Sequence, residues 1–263
     1  MMRILAITNQ KGGVGKTTTC VNLAASLAAT KRKVLVIDLD PQGNATTGCG
    51  IDKSKMQHTI YHVLIGEKSL RDVMQRSERG RFDVVPANRE LAGAEVELVN
   101  EFARETRLKS ALAELGDAYD YVLIDCPPAL NLTTVNALTA AHAVMIPMQC
   151  EYYALEGLSD LVNTIKKVRA HLNPHLEIEG LLRTLFDNRN TLAQQVSNEL
   201  AQHFGDKVYR TVIPRNIRLA EAPSYGVPVL LHDKASKGAK AYLALAGEII
   251  NRHIVSNRQV AAN

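Results

Sequence analysis

The chain has 263 residues, 46% of them hydrophobic and 22% charged, so it can bury a sizeable core without disulfides or structural metal ions. A net charge of +4 is no more than solubility asks of a chain this long, and it does not by itself point to nucleic acid. The 4 cysteines, Cys20, Cys49, Cys126 and Cys150, are scattered without a CxxC or Cys/His cluster, which argues against a disulfide framework or zinc site and for a reducing, cytoplasmic setting.

The first apolar run, Ile4 to Ile7, is too short for the hydrophobic region of a secretory signal, and residues 3–8 read as a buried strand. A glycine-rich loop follows, then helical periodicity over 16–30 and a second strand over 33–38. Residues 43–81 are the least patterned stretch, with short helices expected at 60–64 and 70–76. Beyond them, strands at 82–86, 121–125, 144–148, 176–185 and 208–214 alternate with helices at 91–115 (with a break), 132–140, 155–171, 191–203 and 235–253. No low-complexity run, linker or internal repeat divides the chain, and nothing approaches the roughly 18 apolar residues of a membrane span. The alternation predicts one α/β domain over 1–263, a doubly wound, mostly parallel sheet with helices on both faces. Its ligand is expected beyond the C-terminal ends of the strands, with an ordered core over 1–255 and a frayed tail over 256–263.

Between the first strand and first helix lies Asn9-Gln10-Lys11-Gly12-Gly13-Val14-Gly15-Lys16-Thr17-Thr18. Glycines let backbone N–H groups converge on a phosphate and the helix N-terminus adds partial positive charge. Lys16 can reach the β and γ phosphates and the Thr17 hydroxyl can ligate Mg²⁺, the arrangement of a P-loop NTPase. The usual pattern asks for glycine at position 10, where Gln10 stands, and a second lysine, Lys11, opens the cradle instead.

The second strand ends in Asp38-Leu39-Asp40, which brings two carboxylates to the sheet edge where phosphates would lie. Location alone does not divide their roles. The strand 121–125 ends in Asp125, placed to hold Mg²⁺ through water, and Pro127 and Pro128 stop that strand. Cys126 reads as a packed thiol, because no second sulfur stands at a suitable spacing.

The segment Lys11 to Thr17 resembles the deviant Walker A motif of the ParA/MinD ATPases. Farther on, Gln149-Cys150-Glu151-Tyr152-Tyr153-Ala154-Leu155-Glu156-Gly157, Phe186-Asp187-Asn188-Arg189 and Pro214-Arg215-Asn216-Ile217-Arg218-Leu219-Ala220-Glu221-Ala222-Pro223 are similar to ParA/Soj chromosome- or plasmid-partition proteins. The resemblance covers nearly the whole chain. It implies a Mg²⁺-dependent ATPase, slow and stimulated by a ParB-type partner, that forms an ATP-bound homodimer and binds DNA without sequence preference on the nucleoid. By the same resemblance Lys11, Gly12, Gly13, Val14, Gly15, Lys16, Thr17, Thr18 and Pro214 bind ATP, Lys11 reaching the partner's nucleotide and the Pro214 region bordering the adenine. Thr17, with Asp38 and Asp125 through water, serves the metal; Asp40 positions the attacking water, alongside Lys11 and Lys16 in catalysis. Arg189 and Arg218 are then the DNA contacts. On the residues alone, Arg189, Arg215, Arg218, Lys234, Lys237 and Lys240 read equally as solvated loop charges.

His58 with His62 and His171 with His175 share a four-residue spacing, but lack acidic or cysteine companions and read as solvated or packed. The final helix, 242–250, is amphipathic, yet its tail lacks Phe, Trp and a strong basic face, so a MinD-like membrane anchor is not expected. An iron–sulfur enzyme of the nitrogenase iron-protein kind would need two suitably placed cysteines per protomer, which the sequence does not offer.

Overall fold

The computed structural model describes residues 2–261. Its strands are β1 (Arg3–Ile7), β2 (Val34–Asp38), β3 (Gln75–Ser77), β4 (Phe82–Val85), β5 (Tyr121–Asp125), β6 (Ala143–Met148) and β7 (Glu177–Arg183). The helices up to β5 are α1 (Lys16–Ala29), α2 (Asn44–Gly48), α3 (Ile60–Leu64), α4 (Leu70–Val73), α5 (Leu91–Glu97) and α6 (Arg107–Ala113). After β5 come α7 (Leu132–Ala140), α8 (Ala154–His171), α9 (Thr191–Phe204), α10 (Ile217–Glu221), α11 (Val229–His232) and α12 (Lys237–Ala261).

The seven strands form one sheet in the order β3-β4-β2-β5-β1-β6-β7, parallel except for β3. β1 sits between β5 and β6, so the connections leave it toward opposite sides of the sheet. Ligands of doubly wound sheets bind at such a switch point, and here it is where the glycine-rich loop leaves β1.

Successive strand residues face opposite sides, and the core divides accordingly. Leu5, Ile7, Val34, Val36 and Leu123 pack beneath α1 and α12 through Leu23, Leu27, Leu245 and Ile249. Ile4, Ala6, Leu35, Ile37 and Ile124 pack on the other face with Leu138 of α7 and Leu161 and Ile165 of α8. Each of these is nearly or wholly removed from solvent, so truncating one, such as Leu23→Ala, costs about 2–5 kcal/mol.

Two expectations need correction. The stretch 208–214 is not a strand: it meets β7 and the residues after it at the isolated bridges Leu181↔Val208 and Phe186↔Pro214 and through single bonds such as that from the Ile213 amide to the Arg183 carbonyl (2.9 Å). Between them the amides of Arg210 and Thr211 donate to the Glu248 carboxylate of α12 (2.8 and 2.9 Å) instead of to a ladder partner, and Pro214 has no amide to give. The helix expected over 70–76 ends at Val73, and Gln75–Ser77 turns back as β3, an edge strand whose Arg76 pairs with Asp83 across the ladder (2.8 Å). The break expected within 91–115 is present and contains Ala103 at φ 55.

His62 closes the capping box at the start of α3, its Nδ1 accepting from the Thr59 amide at 3.2 Å, while its ring meets His58 edge-on. No group of three or more potential metal-binding side chains and no helix long and apolar enough to cross a membrane occurs among the described residues. The expectation of a frayed end over 256–263 concerns side chains and terminal residues outside the described ones.

Candidate functional site

The glycine-rich loop is held from both sides before any ligand arrives. Buried Asn9 donates through Nδ2 to the Pro147 carbonyl (2.8 Å) and accepts the Lys11 amide on Oδ1 (3.0 Å), which sets the loop's entry. The Thr184 hydroxyl, just beyond β7, donates to the Val14 carbonyl (2.8 Å), and Val14 itself is buried as an anchor. Gly13 and Gly15 take φ of 75° and 84°, a left-handed backbone that strains any other residue. Cβ atoms built on Gly12 and Gly13 would meet nothing within 4 Å, so open space lies over the loop. Gly15 caps α1 without a side chain and the first turn carries no acid, which leaves the helix N-terminus facing that space with its amides free for an anion.

Lys16 arcs back across the loop, its Nζ donating to the Lys11 carbonyl at 3.0 Å. Burial pulls its ammonium below the ordinary lysine range, and the Asp125 and Asp40 carboxylates oppose that pull. Lys11 points elsewhere: its Nζ pairs with Glu151 Oε2 at 2.5 Å, both side chains about half exposed.

The parallel register sets Asp38 directly opposite Asp125. Both are wholly buried. Burial pushes Asp38 up to about 6 and raises Asp125 well above the usual carboxylate range, with the charge of Asp38 adding to the latter. Asp125 Oδ2 accepts from Thr17 Oγ1 (2.7 Å), while Oδ1 is buried with no partner. A buried carboxylate oxygen without a donor beside a threonine hydroxyl is what a hard, water-carrying cation such as Mg²⁺ fits. Asp38, by contrast, is largely occupied: Oδ1 accepts the Asp40 amide (3.1 Å) and Oδ2 both the amide and hydroxyl of Thr46 (2.8 and 2.7 Å). Asp40 is half-buried and accepts the Gln42 amide on Oδ1 (2.9 Å).

Lys16, Thr17 and Asp40 meet at a cleft of about 380 Å³, and the buried Asp38 and Asp125 are not among the residues that line it. Gly12, Gly13, Gly15, Lys16, Thr17 and Thr18 line it together with Asp40 and Pro128 and with a more apolar set, Leu185, Ile213, Leu219 and Tyr242, beside Asn216. That division suits a ligand with phosphates at one end and a flat ring at the other. Pro214 is not among the lining residues, although Ile213 and Asn216 on either side of it are.

The two arginines expected at DNA lie in neighbouring segments, because the Phe186↔Pro214 bridge and the bond from the Arg215 amide to the Phe186 carbonyl (3.2 Å) set those segments side by side. Both arginines are occupied by carboxylates. Arg189 is 90% exposed and forks onto Asp187 (Nε to Oδ1 3.0 Å, Nη2 to Oδ2 2.8 Å), which holds that carboxyl well below its usual range. Arg218 pairs with Glu221 at 2.8 Å and, more loosely, with Asp233 at 3.4 Å. Lys234, Lys237 and Lys240 are exposed just after Asp233.

Asn9, Thr46 and Thr184 were missed by sequence reasoning. Asn9 stood within the loop already quoted; Thr46 and Thr184 gave no signal, since a threonine at a strand end or in a short helix is ordinary composition.

Residues 2–178 match the family described as an AAA domain. The sporulation initiation inhibitor protein Soj of Bacillus subtilis is 55% identical over 95% of this chain and 98% of its own. The chromosome partitioning protein ParA of Caulobacter vibrioides is 53% identical over 95% of each. Among solved structures, the cobyrinic acid a,c-diamide synthase of Mycobacterium smegmatis with bound ADP and magnesium superposes with a TM-score of 0.85 at 39% identity, over 98% of this chain and 97% of that one.

Proposed function

The chain belongs to the Soj/ParA family of chromosome-partitioning P-loop ATPases, and from that premise we propose that it is an ATP-driven switch that dimerises on ATP, binds DNA without sequence preference and partitions DNA with a ParB-type partner. The observation that carries the reading is the cleft itself. Free α1 amides, Lys16, Thr17 and Asp40 converge on one space, with the orphaned oxygen of Asp125 buried behind Thr17.

The loop amides and Lys16 hold the β and γ phosphates of ATP, and the apolar wall from Ile213 to Tyr242 takes the base. Thr17 and Asp125, with Asp38 behind them, would hold Mg²⁺, which when bound supplies neutralising charge to the phosphate oxygens. Asp40 accepts a hydrogen bond from the attacking water and orients it on the γ phosphorus. Lys11, kept at Glu151 in the single protomer, exchanges that carboxylate for the nucleotide of a second protomer, which couples ATP to pairing. Pairing doubles an arginine surface too sparse in one copy. On it Arg189 and Arg218 trade their carboxylates for DNA phosphates. Slow turnover awaits the ParB-type partner, and DNA binding concentrates this cytoplasmic protein on the nucleoid.

The solved neighbour named for amide synthesis has lower identity than the partition proteins, 39% against 53–55%, which favours the partition reading. The test is ATP-dependent binding to random-sequence duplex DNA, compared with anionic liposomes and with ADP. Binding to DNA with ATP alone is expected. Binding to liposomes instead, or to neither, overturns the reading.

A further inference from the structure

We infer that Thr46 is a positioning residue for hydrolysis: it ties Asp38 to the end of β4 and so fixes where Asp40 stands. The inference rests on the ATPase reading above and deepens it.

Residues 39–46 leave β2 in a turn closed by the Gln42 and Gly43 amides on the Asp40 carboxylate and carbonyl (2.9 and 2.8 Å), bonds that shape the turn without tying it to β4. α2 is five residues long, and its cap, Gly43, is in the left-handed region (φ 61°) and has no side chain with which to bond an amide. The capping acceptor comes from outside. Asp38 Oδ2 accepts the third amide of the helix, that of Thr46 (2.8 Å), together with the Thr46 hydroxyl (2.7 Å). A hydroxyl has one proton, and with it given to Asp38 the Thr46 oxygen is free to accept; it takes the Ala87 amide at 2.9 Å, two residues past β4. The other oxygen of Asp38 accepts the Asp40 amide (3.1 Å). One unbroken chain therefore runs from the Ala87 amide through the Thr46 hydroxyl and the Asp38 carboxylate to the backbone of Asp40.

Each link has one arrangement. Thr46, Asp38 and Ala87 are 0% exposed, so no solvent replaces a lost partner. Gly43 shows how closely the loop rests on β4: a Cβ there would lie 2.6 Å from the Ala87 carbonyl oxygen. Asp40, at the far end of the chain, turns its side chain into the cleft beside Lys16 and Thr17. Thr46 is not among the residues lining that cleft, so it can act only through the loop.

Thr46→Val keeps the shape and removes both hydrogen bonds, leaving the Ala87 amide unpaired. Misplacing a reacting group by about 1 Å costs up to roughly 100-fold, so kcat is expected to fall by about 10- to 100-fold with KM for ATP changed by less than about threefold. Thr46→Ser, which keeps the hydroxyl, should stay within about threefold of wild type. The discriminating measurement is the double variant. In an Asp40→Asn background Thr46→Val should lower residual turnover by less than about twofold, because a residue that acts through Asp40 has nothing left to position.

Wild-type protein that does not hydrolyse ATP would overturn the ATPase reading itself. Given wild-type hydrolysis, the Thr46 inference fails if Thr46→Val turns over at the wild-type rate, if it loses nucleotide affinity in proportion to kcat, or if its effect is undiminished in the Asp40→Asn background. If Thr46→Val does not fold, Gly43→Ala carries the test, since its Cβ pushes the same loop off Ala87. It should lower kcat while keeping ATP affinity, and an unchanged kcat overturns the inference.

Discussion

The nucleotide cleft and the arginine rim are both built at strand ends, yet they are held by opposite means. At the cleft and just behind it Lys16, Asp38 and Asp125 are buried, and backbone amides, threonine hydroxyls and ladder register fix where each stands. On the rim, Arg189 and Arg218 stand in water and have only neighbouring carboxylates for partners. A buried charge cannot move without leaving something unpaired, whereas a solvated one exchanges partners at little cost. The cleft is therefore suited to fixed geometry, which chemistry needs, and the rim to exchange of partners.

Substitution in the cleft should have the largest effect and should separate binding from turnover. Asp40→Ala is expected to lower kcat by about 100- to 1,000-fold while ATP affinity changes little, because in the function proposed above its contact is made to the attacking water. Lys16→Ala should lose the nucleotide itself. Calorimetry with a non-hydrolysable analogue, set beside turnover, decides this; equal loss of affinity in both variants would remove the division of labour.

On the rim, removing both arginines should act on any DNA sequence alike. If, as proposed, four arginines of a dimer face one duplex, then at roughly 0.9 of salt slope per phosphate contact Arg189→Ala with Arg218→Ala should flatten the plot of log affinity against log salt by up to about 3.6. A salt titration with ATP, on protein checked for dimerisation, reads this out. An unchanged slope would move the surface to Lys234, Lys237 and Lys240.

The buried carboxylates should also show themselves in stability. Asp38 and Asp125 bind protons more tightly in the folded, metal-free protein than in the unfolded chain. Their contribution is thus most favourable below the ordinary carboxylate value near 4 and is lost as pH rises through about 6, the value for Asp38. Asp125→Asn removes one of these charges and should raise Tm of the nucleotide-free protein by a few degrees at pH 7.5 while abolishing turnover. A lower Tm without metal would refute it.

The smallest effect is expected at Asp187, which occupies Arg189 in the absence of DNA. Asp187→Asn should free the guanidinium and strengthen non-specific DNA binding by roughly two- to tenfold at low salt, the gain shrinking as salt screens it. Weaker binding, read by fluorescence anisotropy, would mean that Asp187 aligns the arginine.

How far the sequence could be read follows the same division. The loop from Asn9 to Thr18 and the aspartates ending β2 and β5 were legible because phosphate binding demands glycines, a lysine and a helix start in fixed succession after a strand. Strand and helix alternation located β1, β2, β4, β5, β6 and β7. β3 was hidden because three polar residues carry no periodicity, and the stretch 208–214 was misread because its β-rich composition says nothing of Glu248, which is distant in sequence and takes two of its amides. Arg189 and Arg218 could be singled out only by family resemblance, since an exposed arginine has no local signature.

The two edges of the sheet have a bearing on solubility. β3 ends the sheet on one side with three residues and a charged Arg76, and on the other the stretch after residues 205–207 lies along β7 with the Arg210 and Thr211 amides taken by Glu248. Neither edge presents a long row of unpaired strand amides, the template on which sheets add strands from other molecules and aggregate. Copies of this chain can thus crowd together in concentrated solution without fusing sheets, and Glu248→Ala, by releasing those amides, would make such solutions turbid.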